Sequence, residues 1–337
     1  MLKSIARNWW LPALVLLALA LAAWINLPRM LPVFDRSDQR VAALPAALPF
    51  TSGQRVLFLA PHPDDETLCC GGMIQQAQAA GATAYIAWIT AGDGFEFDAA
   101  LMDRAVRPSP AQMRDLGQTR AREAGRAAAI LGVPAARTFM LGYPDGGLFY
   151  LFTTNYDQPY RARHTGASAV YVDGALTPGA PFTGRNLHDD LARVLDTVKP
   201  DVVLVPAPQD AHPDHHTLTY MMLRLVGERQ QEPTLHFWVV HGGLEWPLPK
   251  GLHETLPLTV PPRATGLPWE RVALTPEQVQ VKWQAIRAYR TQTEVLGRFM
   301  EAFARANELV SPSPLPPLTA LAENKAEAAL LVSGQMK

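Results

Sequence analysis

Five short apolar runs constrain this chain more than any other feature: residues 55–60 (RVLFLA), 82–90, 137–143, 201–208 and 234–240. Runs of this length with little polar alternation suit strands buried on both faces. Between them lie segments with helical spacing, at 66–81, 111–132, 186–200 and 214–229, most of which stop at a Gly or Pro. Strand, helix, strand in this rhythm predicts an α/β fold, a Rossmann-like open parallel sheet flanked by helices. A longer helical pattern over 275–309 opens on Thr275-Pro276-Glu277, with a break expected near Thr291–Thr293.

With 337 residues, 48% hydrophobic and 18% charged, the chain can bury one sizeable domain, expected over 53–310. Its 30 prolines cluster at 28–49, 247–268 and 312–317. Residues 28–52 therefore read as a Pro/Ala-rich linker and 311–337 as a peripheral tail. Residues 1–8 carry Lys3 and Arg7 and read as a cytoplasmic n-region; the uncharged apolar run 9–27 reads as a membrane anchor. The alternative is a cleavable signal segment ending at Ala18-Leu19-Ala20 or Ala20-Leu21-Ala22. The anchor predicts a membrane-tethered, extracytoplasmic domain, and cleavage a secreted or periplasmic one. A net charge of −1 leaves no footprint for nucleic acid. Cys69 and Cys70 are the only cysteines, and as neighbours they are expected to stay separate, buried thiols.

The first apolar run stops at Pro61, followed at once by His62, Asp64, Asp65 and Glu66; just past the fourth run stand Asp210, His212, Asp214, His215 and His216. Strand carboxyl ends face the ligand in open parallel sheets, and the first and fourth strands are neighbours at the switch point of the common strand order. The two clusters should meet. His62, Asp65 and one histidine of the second cluster make an imidazole, imidazole, carboxylate set, which suits zinc, with iron(II) or cobalt also fitting. A metal there lowers the pKa of water toward neutrality. Asp64 is placed to take that water's proton and His212 to protonate a leaving group. An acid at a strand end also has a simpler use, since Asp64 or Asp65 could cap the following helix. These residues alone leave His215 and His216 open as the third ligand.

"APHPDDETLCCGG" with "HPDH" far downstream resembles the PIG-L/LmbE-like family of metal-dependent N-deacetylases, which act on N-acetylglucosamine-type sugars. Supporting likeness runs from about 54 to 309 and includes Arg120, Glu123, "LGYPDGGL" (141–148), Lys282, Tyr289 and Gln292. The resemblance implies a zinc-dependent hydrolase that removes an N-acetyl group from a sugar or glycolipid. Carried onto matching positions, it implies His62, Asp65 and His215 as ligands, Asp64 as base and His212 as acid. It implies Asp214 as a residue that orients a histidine.

Arg120 and Glu123 are expected to pair on one helix, Gly71-Gly72 to let the 66–81 helix approach the sheet, and Asp145 to serve as a turn residue or a sugar contact. Residues 148–185 read as an insertion, rich in tyrosine, that either forms a packed hairpin or reads a sugar ring. Two other functions fit parts of the pattern: an iron(II) facial-triad oxygenase, and a non-catalytic membrane-tethered glycan-binding module.

Overall fold

The computed structural model describes residues 10–26, 39–95, 108–229, 233–243 and 246–317. Five strands form one parallel sheet: β1 (Arg55–Ala60), β2 (Thr83–Thr90), β3 (Thr138–Tyr143), β4 (Val202–Pro206) and β5 (Thr234–Trp238). Their order is β3-β2-β1-β4-β5, so the direction of travel reverses between β1 and β4. Val56 to Ala60 and all of β4 are buried, as expected of strands covered on both faces.

Six helices connect or cover these strands: α2 (Asp65–Ala79), α3 (Pro110–Ile130), α4 (Leu148–Phe152), α5 (Gly184–Val198), α6 (Pro213–Gly227) and α7 (Pro276–Ala288). Their starts are chemically marked. Ser109 and Gln112 form a reciprocal cap ahead of α3, Thr275 and Gln278 do the same for α7, and Thr183 caps α5. Right-handed crossovers put α2 and α3 on one face of the sheet and α5 and α6 on the other. The contacts agree, since α2 and α3 both touch α7, while α4, α5 and α6 touch one another.

The 275–309 segment differs from its expected form. It breaks at Tyr289, whose φ/ψ of −81°/68° leaves the helix, and resumes as α8 (Arg290–Glu301). It then ends in a strand, β7 (Asn307–Val310), paired antiparallel with β6 (Glu270–Ala273). A buried ion pair ties this small sheet to α2. Lys282 Nζ lies 2.7 Å from Glu308 Oε1 and donates to Leu68 O, while Glu308 accepts from the amides of Gly72 and Met73. Gly71 and Gly72 are small for this contact and not for the main sheet. A Cβ on Gly72 would stand 2.3 Å from Leu274 Cδ2, and one on Gly71 3.0 Å from Lys282 Cγ.

Other expectations are corrected at the edges. Trp10–Asn26 forms a helix, α1, of 17 residues. At 1.5 Å per residue it spans about 26 Å, short of a hydrocarbon core of about 30 Å. No helix among the described residues is long and apolar enough to cross a membrane. The spanning segment expected over 9–27 therefore has no support, and localisation rests on the sequence of residues 1–27 alone. Residues 1–9, 27–38 and 318–337 lie outside the described residues. Within the linker, Ala46 bridges to Arg271 of β6, so residues 45–47 are fastened to the domain. Within the tail, Ser311 exchanges backbone hydrogen bonds with Phe237 on the edge strand β5. Cys69 and Cys70, expected as separate thiols, are joined by a disulfide.

Residues 148–185 pack on the domain without forming a hairpin of regular strands. Tyr150 stacks on Tyr160 with ring centroids 5.1 Å apart, Tyr156 lies under Arg185 and Arg224, and the Tyr171 hydroxyl donates to Asp93 Oδ2 at 2.6 Å.

Candidate active site

Every strand of the parallel sheet delivers side chains just past its carboxyl end. They are His62, Asp64 and Asp65 after β1, Asp93 after β2, Asp145 after β3, Asp210 to His215 after β4 and His241 after β5. Most of them converge on a cavity of about 340 Å³ whose polar lining includes His62, Asp64, Asp65, Asp145, His212 and His241, with Arg120 beside them. The two clusters separated in sequence therefore do meet.

His62, Asp65 and His215 form the tightest group. His62 Nδ1 lies 3.1 Å from Asp65 Oδ2, His215 Nε2 lies 3.1 Å from the same oxygen, and the two nitrogens are 3.3 Å apart. Each imidazole leans on a further carboxylate through its other nitrogen. His62 Nε2 is 3.1 Å from Asp145 Oδ1 and 3.3 Å from Asp214 Oδ2, and His215 Nδ1 is 3.2 Å from Asp210 Oδ2. Those carboxylates are themselves held by backbone amides. Gly146 and Leu148 donate to Asp214; His212, Val240 and His241 donate to Asp210.

This donor set fits a divalent cation. Three donors sharing one zinc at about 2.0–2.1 Å in a tetrahedral array stand about 3.3–3.4 Å from each other, close to the spacing found here. Carboxylates close to the outer nitrogen of each imidazole suit the tautomers a metal site requires. Overlapping sets, His62/His212/His215, Asp65/His215/His241 and His62/Asp145/Asp214, also gather their donor atoms closely enough for an ion.

The electrostatics follow from burial opposed by neighbours. Burial alone pushes imidazoles down, yet at His62 the Asp145 carboxylate, with hydrogen bonds to Asp145, Asp214 and Asp65, overcomes it and holds the ring well above its ordinary value. At His215, Asp210 and Asp65 overcome burial and raise the ring to about 9. In return, Asp65 is held well below the usual carboxylate range by His215 and His62, against burial. His212 and His241 lack such backing. Burial, then the positive neighbours His62 and His215, takes His212 down to about 2; burial and His215 take His241 to about 4.

Asp64 stands apart from the ligand-like group. Its φ of 132° lies in a region few residues other than glycine adopt, and its side chain makes no capping hydrogen bond to α2. The capping role is thus excluded, and the carboxylate lines the cavity instead. Burial, then the charge of Asp65, raises it well above its ordinary pKa, against the pull of Arg120 and His62. Glu66 is spent on structure, since Thr67, Trp88 and Tyr289 all donate to its carboxylate.

Arg120 does not pair with Glu123. Its guanidinium reaches forward to donate to Gly92 O at 2.6 Å, Pro63 O at 2.9 Å and Asp64 Oδ2 at 3.3 Å. It lies so close that a Cβ on Gly92 would stand 2.3 Å from its Cζ. Glu123 instead accepts from the amide and hydroxyl of Thr291, joining α3 to α8. His216, the open alternative, faces Asp210 O and Tyr220 and does not line the cavity. His241 was not singled out in the sequence, although its place just beyond the fifth apolar run is the same signal that marked His62 and His212.

A family model described as PIG-L, GlcNAc-PI de-N-acetylase, matches residues 57–226 of the 337. The 1D-myo-inositol 2-acetamido-2-deoxy-alpha-D-glucopyranoside deacetylase of Mycobacterium sp. (strain KMS) is 27% identical over 274 residues, covering 77% of this chain and 80% of that protein. The protein of the same name from Saccharomonospora viridis is 26% identical over 296 residues, covering 81% and 97%. Among solved structures, N,N'-diacetylchitobiose deacetylase from Pyrococcus horikoshii superposes with a TM-score of 0.50 at 19% identity, over 83% of this chain and 92% of that one; this likeness speaks for the fold alone. The matched segment runs from β1 into α6 and so carries both loops whose histidines and carboxylates converge: the chain belongs to the PIG-L family.

Proposed function

We propose that the protein is a metal-dependent deacetylase that hydrolyses the acetamido group of an N-acetylglucosamine-type sugar or glycoconjugate. One observation carries this reading: three mutually adjacent donors, His62, Asp65 and His215, lie beside a carboxylate, Asp64, that is strained, uncapped and open to the cavity. The named activities of the curated relatives support the substrate class. A cavity of about 340 Å³ has room for one sugar ring.

In this reading His62, Asp65 and His215 hold the cation, with zinc favoured by the donor set and iron(II) also accepted. Bound there, such a cation supplies Lewis acidity, polarising a carbonyl and making water acidic near neutrality. Asp214 and Asp210 fix the two imidazoles from behind. Asp64 takes the proton of the attacking water as its oxygen bonds to the amide carbon. When the C–N bond breaks, Asp64 returns that proton to the departing nitrogen, and acetate and a free amine leave.

We infer a part for His212 other than the expected acid, a reading supported by its hydrogen bonding. Its Nδ1 accepts from the Asp214 amide at 3.2 Å, so the neutral ring carries its proton on Nε2. His212 then serves as a neutral N–H donor to the oxygen on which charge develops, and not as a cationic acid.

The test is acetate release by the full chain, with bound metal measured on the same preparation, across N-acetylglucosaminides. Wild type should release acetate and Asp64→Asn should not. Equal release by both, or none by wild type from any such sugar, would sink the reading.

A further inference from the structure

Gln292 is a buried amide on the cavity wall. It lies in the first turn of α8, is 2% exposed and lines the cavity, yet neither Oε1 nor Nε2 has a hydrogen-bond partner among the described residues. Burying both ends of an amide unpaired costs free energy that an apolar side chain of similar size would not cost. The rest of the α8 wall is apolar, with Leu296, Phe299 and Met300 following Gln292 along the same helical face. The cavity therefore has a polar wall that fits the reacting group and an apolar wall interrupted once, by a group offering one donor and one acceptor side by side.

We infer that Gln292 is a substrate-positioning residue that reads hydroxyl groups of the pyranose ring. This inference rests on the deacetylase reading and deepens it. A sugar hydroxyl is both donor and acceptor, and two hydroxyls on adjacent ring carbons present those functions at a spacing a primary amide can match in one plane. The acetamido group, turned toward His62, Asp64 and Asp65, is not the partner. The apolar side chains beside Gln292 suit the C–H face of the same ring. Gln292 thus ties recognition of the ring to the orientation of the amide, and a substrate lacking those hydroxyls leaves a buried amide unpaired.

The test compares wild type with Gln292→Leu, which keeps the bulk and removes both polar atoms. Substrates are an N-acetylglucosaminide, its 3-deoxy and 4-deoxy analogues, and N-cyclohexylacetamide, which keeps the amide and the ring shape only. The expected result is a roughly 10- to 100-fold lower kcat/KM for the hydroxylated sugar in Gln292→Leu. Wild type should lose a similar factor on one deoxy analogue, Gln292→Leu should lose nothing further on it, and N-cyclohexylacetamide should not distinguish the two proteins. The unfolding temperature of Gln292→Leu should equal or exceed that of wild type, because an unpaired buried amide has been removed. A fall of several degrees, or an equal loss on every substrate, would show a structural role and overturn the inference; so would unchanged kinetics on every substrate. Should wild type release no acetate at all, calorimetric binding of the same sugars decides separately. Weaker binding in Gln292→Leu only where the hydroxyls are present supports the contact, and no binding of any pyranose by wild type, or equal binding by both proteins, overturns it.

Discussion

Asp210 stands directly behind His215, with Oδ2 3.2 Å from the ring Nδ1. The same oxygen accepts from the amides of Val240 and His241, and the other oxygen from the amide of His212. One buried carboxylate therefore fixes an imidazole and joins the loops after β4 and β5. An asparagine cannot serve all these donors, because one of its two ends presents N–H groups to amides that are themselves donors. Asp210→Asn should bind zinc about 10- to 100-fold more weakly, as expected when an outer partner of a ligand imidazole is lost. Competition with a chromogenic chelator measures this, and unchanged affinity would detach Asp210 from the metal site.

Asp64 supplies a second test, in which stability and activity move apart. Its φ of 132° suits glycine and penalises any residue with a Cβ. Asp64→Gly should be more stable than Asp64→Ala by about 1–2 kcal/mol, and both should be inactive. Denaturant unfolding alongside acetate release checks both halves. A glycine variant no more stable than the alanine variant would mean that the backbone at residue 64 relaxes in solution.

The fold was legible where hydrophobic burial alone decides structure. β1 to β5 are short apolar runs, and the burial of β1 and β4 on two faces leaves no alternation to misread. The same logic marked His62 and His212, because polar residues that abruptly follow a buried strand must face the open end of the sheet. What stayed hidden depends on partners distant in the chain. β6 and β7, four residues each, pair with one another, and Glu308 is drawn inward by Lys282. Apolar spacing alone therefore extended the last helix through 309. Asp145 and His241 gain their meaning from His62 and His215, residues brought near only once the sheet is assembled. Tyr171 lies in the stretch read as either a packed hairpin or a sugar reader, and its hydroxyl is held by Asp93, a contact no local pattern announces.

His212 separates two proton schemes. A cationic acid with a pKa near neutrality would make kcat/KM fall above that pH, and the limb would disappear in His212→Ala. The Asp214 amide donates to His212 Nδ1, which disfavours a second proton there, and burial pushes the ring in the same direction, so no such limb is expected of it. His212→Ala should lower kcat by about 10²–10³-fold, the cost of losing one donor to a developing oxyanion, without moving either limb of the profile. A limb that vanishes with the ring would restore His212 as the acid.

Asp93 provides a pH dependence that belongs to the fold and not to turnover. It is buried, accepts from the Tyr171 hydroxyl and the Asp145 amide, and is raised to about 6 by burial and then by the charge of Asp145. An unfolded aspartate titrates near 3.9. Between these values the folded chain keeps the proton and the unfolded chain has lost it, so protonation favours the fold. The contribution is full below about pH 4, declines as pH rises through about 6, and is constant above that. Two pH units of difference amount to about 3 kcal/mol. Asp93→Asn, which cannot ionise, should lack this decline. Unfolding free energies of the two proteins from pH 4 to pH 7 should diverge by about that amount, with wild type losing ground as pH rises. A wild type that gains on the variant over the same range would mean that Tyr171 and the Asp145 amide hold the carboxylate ionised, with burial the weaker influence.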